Sequence, residues 1–204
     1  MDNEENVSAA AQNDVELVQE SLSGDQQAFG QLVHKYQQRV YGIAFGVVRN
    51  HQDALDVAQE VFIKVYSKLG RFRGKSTFYT WLYRITVNLA IDYHRKKTKA
   101  VMVDFDEKIL DDEKRSDFKQ SNIRYSPRKM AEDSELSRQI LSAIESLPVE
   151  QRTVVVLREM EDMSYEDIAR VMKCSKGTVM SRLHYGRKKL QQILKKYLDP
   201  DSEA

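Results

Sequence analysis

The chain of 204 residues carries 32 Lys and Arg against 31 Asp and Glu, a net charge of +1, with 41% apolar residues and a single cysteine, Cys174. That length suits one large or two small domains with modest cores. One cysteine excludes an internal disulfide, and His34, His51, His94 and His184 lie in separate segments, so no metal site is expected. No apolar run reaches the roughly eighteen residues of a membrane span, and the N-terminus lacks the basic and apolar stretches of a signal peptide, so a cytoplasmic protein without membrane insertion is expected.

The near-zero net charge hides segregation along the chain. Residues 1–25 hold seven acids and no Lys or Arg. Residues 64–99 hold ten bases against one acid, Asp92, a local balance of +9, and residues 173–196 add eight bases and no acid. Two cationic blocks on one chain suit two contact points on a polyanion.

Few glycines and prolines and long 3.6-residue periods predict an all-α protein. After an acidic tail, residues 1–13, a first helix runs from about Asp14 to Ser23 and ends at Gly24. A longer helix follows, with Phe29, Leu32, Val33, Tyr36, Val40, Ala44 and Val47 on its buried stripe. Between Gln52 and Leu69 the apolar face is Ala54, Leu55, Ala58, Val61, Phe62, Val65 and Leu69, which leaves Asp53, Asp56, Gln59, Glu60 and Lys64 outside. Gly70 to Lys75 forms a loop, and a fourth helix spans about Ser76 to Lys97 on a stripe of Phe78, Leu82, Ile85 and Leu89. The period then fails. Residues 100–133 are acidic, contain Ser126-Pro127, and are read as a linker between a first domain, 14–99, and a second, 134–198, ahead of a short tail, 199–204.

The second domain opens with a helix from Ser134 that carries Leu136, Ile140, Ala143, Ile144 and Leu147; Pro148 then stands at the first helical position of the next, which bears Val154, Val155 and Leu157. Residues 161–194 read as two helices across a tight break. Ser164 caps the first, with Asp167 three residues on in an imperfect capping box, and Ser175 caps the second. Ile168, Val171 and Met172 give one apolar face; Val179, Leu183, Leu190 and Leu194 give the other. Lys176, Arg182, Arg187, Lys188 and Lys189 stand on the polar surface, as in a helix-turn-helix that enters the major groove.

Chemistry of the bond-making kind finds no support. Gly70-Arg-Phe-Arg-Gly74-Lys75-Ser76 is one residue short of a phosphate-cradling loop and follows a helix where that loop must follow a strand. No Ser or Cys has an activating neighbour, so no catalysis and no cofactor are expected. Phe72, Phe78, Tyr79, Trp81 and Tyr83, interleaved with Arg71, Arg73, Lys75 and Arg84, have the composition of a surface that stacks unpaired bases in a cationic groove. Phe78 belongs to the core stripe and Trp81 equally suits a core anchor, so Tyr79 and Tyr83 are the better contact candidates.

The run DALDVAQEVFIKVYSKLGRFRGKSTFYTWLYRITVNLAIDYHRKK, followed after the linker by LPVEQRTVVVLREMEDMSYEDIARVMKCSKGTVMSRLHYGRKKL, resembles the bacterial extracytoplasmic-function sigma factors over roughly residues 14–197. The resemblance implies two helical domains, a region-two bundle and a region-four helix-turn-helix, in a cytoplasmic regulator of transcription that serves a stress response. It implies core RNA polymerase, promoter DNA both double-stranded and as the melted non-template strand, and an anti-sigma factor as partners. By position, Asp53, Asp56, Gln59, Glu60 and Lys64 would meet polymerase. Arg71, Phe72, Arg73 and Lys75 of the loop, with Asn88, would hold a flipped base of the minus-ten element. Tyr79 and Tyr83 would stack there, and Arg84, Arg95, Lys96 and Lys97 would hold phosphates. Lys176, Thr178, Ser181, Arg182, His184, Tyr185, Arg187 and Lys188 would read the minus-thirty-five element. Met180 and Tyr185 stand where many members carry Arg, which implies a different base preference, because Arg pairs bidentately with guanine. A stand-alone helix-turn-helix repressor leaves residues 53–97 unexplained, and a helical adaptor for proteins has no use for the two cationic blocks.

Overall fold

The computed structural model describes residues 13–108 and 134–198, with side chains described for 13–99 and 139–195. Every regular element among the described residues is a helix, as the periodicity requires. Residues 1–12 of the expected tail 1–13, residues 109–133 of the linker, and 199–204 lie outside the described residues.

Helix α1 spans residues 13–22, and the chain reverses at Gly24, whose φ of +104° favours a residue without Cβ. Asp25 then caps α2 (Gln26–Val48): its side chain accepts the backbone N–H groups of Gln27 and Ala28 at 2.8 and 3.3 Å. Arg49, left-handed at φ 58°, ends α2, and Asn50 caps α3 (His51–Lys68) by accepting from the Asp53 amide at 3.0 Å. A 3-10 turn, Leu69–Arg71, leads into the loop before α4 (Phe78–Lys108). Leu32, Val40, Ile43 and Val47 of α2, Val57, Val61 and Val65 of α3, and Phe78 and Leu82 of α4 meet in the first core, each at most 2% exposed. Burying one such side chain contributes about 1.5–3 kcal/mol, which is what holds three otherwise marginal helices together.

Three readings of this domain need correction. Asp53 is not on the outer face: it is 7% exposed, and its carboxylate accepts the Tyr93 hydroxyl at 3.0 Å and the Lys97 ammonium at 2.5 Å. Leu55 is 44% exposed instead of lying in the core. Helix α4 runs on to Lys108, beyond the boundary expected near residue 99, and no glycine or proline stands between Lys99 and Lys108 to stop it.

The second domain contains α5 (Ser134–Glu145), α6 (Val149–Val155), one wider π turn (Val156–Met160), α7 (Tyr165–Met172) and α8 (Lys176–Leu198). Pro148 is the residue before α6 rather than its first, and Ile140 is partly exposed. Ala143, Leu147, Val154, Leu157, Ile168, Val171, Val179 and Leu183 form this smaller core.

The two domains pack against each other. At Gly46 of α2 an added Cβ would stand 2.8 Å from the Val156 side chain and meet nothing else as close, so glycine is what allows the π turn to sit on α2. Beside it the buried Arg152 donates to the Val47 carbonyl at 2.7 Å and to the Glu145 carbonyl at 3.1 Å. Its cation thereby occupies the negative end of α2. Arg49 donates in return to the Leu141 carbonyl at 3.3 Å. Burial lowers both guanidinium pKa values, and the charge of Arg49 lowers that of Arg152 further.

Candidate nucleic-acid interface

The break between α7 and α8 is built from local hydrogen bonds. Ser164 Oγ accepts the Asp167 amide at 3.1 Å and donates to Asp167 Oδ2 at 2.7 Å, so Ser164 caps α7 and Asp167 orients the capping hydroxyl. Lys173, left-handed at φ 52°, ends α7. Ser175 Oγ then accepts the Thr178 amide at 3.0 Å and opens α8. Val179, Leu183 and Gly186 face the domain, so Lys176, Ser181, His184, Tyr185, Arg187 and Lys188 are exposed, with Thr178 and Arg182 half-buried at the edges. The helix-turn-helix residues read from the sequence thus come together on one side of α8.

Two of these cations are held by acids of their own domain. Arg187 donates from Nε and Nη2 to Glu159 at 2.9 and 2.6 Å, and this pairing raises its pKa above the ordinary arginine value. Lys176 pairs with Glu166, whose pKa falls for that reason. Both pairs are exposed, so each is weak and a phosphate can replace the carboxylate with little loss.

On the first domain the loop presents Arg71, Arg73 and Lys75 to solvent, with Gly74 at φ +64° making the bend. Phe72 is half-buried, its ring 5.7 Å from Phe78 and 5.5 Å from Trp81, so the loop is anchored by an aromatic cluster and Trp81, 8% exposed, is a core anchor. Asn88 is half-buried; Arg84 and Lys96 are exposed.

Tyr79 and Tyr83 are not presented for stacking. Their rings meet edge to face at 5.8 Å, but the second domain covers them: Tyr83 is 2% exposed and donates to Glu161 at 2.9 Å. Burial and then the Glu161 charge push the Tyr83 hydroxyl well above the tyrosine range, which keeps it a donor. Burial also raises Glu161, against the hydrogen bond from Tyr83 and the charge of Arg39. Tyr79 and Thr80 donate to Asp167 at 3.4 and 3.1 Å, and Arg95 reaches Glu150 at 3.4 Å. Lys97, expected on phosphates, is paired with Asp53. Carboxylates of the second domain therefore lie along α4, where the aromatic and basic composition called for DNA.

The outer face of α3 keeps Asp56, Gln59 and Glu60 exposed, and Lys64, half-buried, lies 3.7 Å from Glu60. Sequence reading passed over the apolar members of this surface. Ile63 and Tyr66 are 65% and 56% exposed, and with Leu55 they make an apolar strip beside the acids. The positions of Ile63 and Tyr66 off the core stripe of α3 were the available signal.

Similarity to known proteins follows the same division. The family model described as sigma-70 region 2 matches residues 32–100, and that of sigma-70 region 4 matches residues 137–190. The RNA polymerase sigma-H factor of Pseudomonas aeruginosa is 39% identical over 92% of this chain and 96% of its own. The ECF RNA polymerase sigma-E factor of Escherichia coli K12 is 38% identical over 88% of this chain and 95% of its own. Among solved structures, CnrH in complex with the cytosolic domain of CnrY superposes with a TM-score of 0.64 at 27% identity, over 93% of this chain and 99% of that one. The sigma factor RpoE of Bartonella quintana, solved with the anti-sigma factor NepR, shares the fold with a TM-score of 0.62 at 24% identity, over 82% of this chain and 96% of that one. A helix-turn-helix with a one-sided cationic helix, a basic α4 and loop on a separate bundle, and relatives alike over nearly their whole length lead to one conclusion: the chain belongs to the extracytoplasmic-function sigma factors, which act with core RNA polymerase on promoter DNA.

Proposed function

We propose that this sigma factor divides its work between three surfaces, adds no active site of its own, and must open before it reads a promoter. The exposed Asp56, Gln59 and Glu60, with Lys64 and the apolar Ile63 and Tyr66, form the polymerase-binding face of α3. Arg71, Arg73, Lys75, Arg84, Asn88, Arg95 and Lys96 take the melted minus-ten strand, and the exposed face of α8 takes the minus-thirty-five element in the major groove. The observation that carries this reading is the pairing of a capped, acid-free cationic helix on one domain with a second basic surface on the other. Each surface binds weakly alone; polymerase sets their spacing and so supplies the avidity.

Opening follows from the contacts along α4. Tyr79, Thr80 and Tyr83 reach a base only after Asp167 and Glu161 withdraw. Control by an anti-sigma factor fits the same logic, since a protein that clamps the closed pair hides both the polymerase face and α4; CnrH, which shares this fold, is itself seen bound to a protein segment.

Run-off transcription with core RNA polymerase on a pool of promoter fragments tests the reading. New discrete transcripts that depend on this protein are expected, and their absence would sink it. The division of labour has its own test. Asp56→Arg reverses a charge on α3 and should lower core polymerase affinity at least tenfold, while it spares DNA binding by α8. Arg182→Ala should do the reverse, with loss of about tenfold in promoter use and unchanged core binding. Equal loss of polymerase binding in both variants would refute the assignment.

A further inference from the structure

On α8 the side turned away from the core is made of Gly177, Met180, Ser181, His184, Tyr185 and Lys188, because Val179, Leu183 and Gly186 fix the opposite side inward. Between Lys176 and Lys188 no Asn or Gln stands on it and its two arginines lie at its edges, so the bidentate readers of guanine and adenine are missing from the centre of this stretch; Gln191 and Gln192 are exposed only further along the helix. Arg182 lies half-buried at one edge, and Arg187 at the other is held by Glu159 through two hydrogen bonds. Two large apolar side chains stand out instead: Met180 is 51% exposed and Tyr185 59%, with Tyr185 braced edge to face against His184 at 5.4 Å. Met180 borders a shallow groove of about 520 Å³ lined with Tyr165, Leu183, His184, Arg187, Lys188 and Gln191.

An apolar surface on a helix whose own stretch of sequence, residues 173–196, holds eight bases and no acid matches one partner in particular, the duplex major groove, and there the one apolar group offered by the bases is the 5-methyl of thymine. We infer that Met180 is a specificity-determining residue that packs on a thymine methyl of the minus-thirty-five element, with Tyr185 as a second apolar contact. This rests on the reading of α8 as the minus-thirty-five reader. Thymine is therefore selected by shape and desolvation, and the exposed cations supply affinity without sequence preference.

The test uses holoenzyme assembled from core polymerase and the full chain. Promoters carrying a randomised minus-thirty-five region are selected by transcription, and each thymine of the enriched sequence is then replaced by deoxyuridine, which deletes only the methyl group. Loss of one buried methyl corresponds to about fourfold in half-saturation for open-complex formation. The expected result is that loss at one or two thymines, and an equal loss for Met180→Ala on the thymine promoter with no further loss on deoxyuridine. Met180→Leu, which keeps the apolar contact, should retain the sensitivity. Enrichment of no thymine, no effect of deoxyuridine at any position, or undiminished methyl sensitivity in Met180→Ala would each overturn the assignment. Binding that fails for want of any promoter-dependent transcript would instead overturn the sigma reading beneath it.

Discussion

Gly46→Leu should make the free protein bind a single-stranded minus-ten oligonucleotide about thirtyfold more tightly. The reason is steric. An added Cβ at Gly46 already stands 2.8 Å from Val156, and the three atoms nearest to it all belong to Val156 of the other domain, so a leucine presses first on that domain and wedges the two apart. Overpacking of this kind costs about 2 kcal/mol, or about thirtyfold in the ratio of closed to open chain. When the closed form dominates, affinity for a ligand of the open form rises by that factor and no more. Within α2 itself leucine is the better helix former by nearly 1 kcal/mol, so the first domain should not lose stability. Val156→Ala, which removes the two methyl groups nearest the new side chain, should restore part of the closure in the double variant. Fluorescence anisotropy at fixed salt reads all three proteins. Unchanged affinity in Gly46→Leu would mean that the packed second domain does not mask α4.

The second large effect is expected from Ile168→Ala. Ile168 is fully buried between α7 and α8 in a domain of few large apolar side chains. Truncation of a buried isoleucine to alanine costs about 2–5 kcal/mol, which is comparable with all that a core of this size supplies. The second domain should therefore unfold while the first stands on its own aromatic and aliphatic core. Hydrogen exchange should lose protection in α6, α7 and α8 and keep it in α2, α3 and α4, and transcription from promoters that need the minus-thirty-five element should fail. Uniform loss of protection along the chain would show a single cooperative unit and contradict the division.

What the sequence made legible is what short-range chemistry decides. Ser164 and Ser175 cap their helices as read because the partner amides lie three residues on, and Leu32, Tyr36, Val40, Ala44 and Val47 of α2 and Val179 and Leu183 of α8 are buried because the period of a helix leaves them no other side. What stayed hidden depends on partners distant in the chain. Asp53 looks like an outward acid within α3, but Tyr93 and Lys97, forty and forty-four residues away, draw it inward. Tyr83 looks like a base-stacking surface on α4, and nothing local announces Glu161 seventy-eight residues later. Nor does a glycine in mid-helix state its purpose. Gly46 stands against Val156 of the other domain. The candidate site was thus visible in its cations and loop, and invisible in the contacts that close over it.

That closure is the central claim, and the distance between the domains tests it most directly. With Cys174, the sole cysteine, replaced by serine, spin labels at Glu20→Cys on α1 and Gln192→Cys on α8 sit on exposed positions of the two domains. The free protein should give one short, narrow distance distribution, and addition of core RNA polymerase should move it to longer distances as α7 leaves α4. The same distribution in the free chain and in a transcriptionally active holoenzyme would contradict the account.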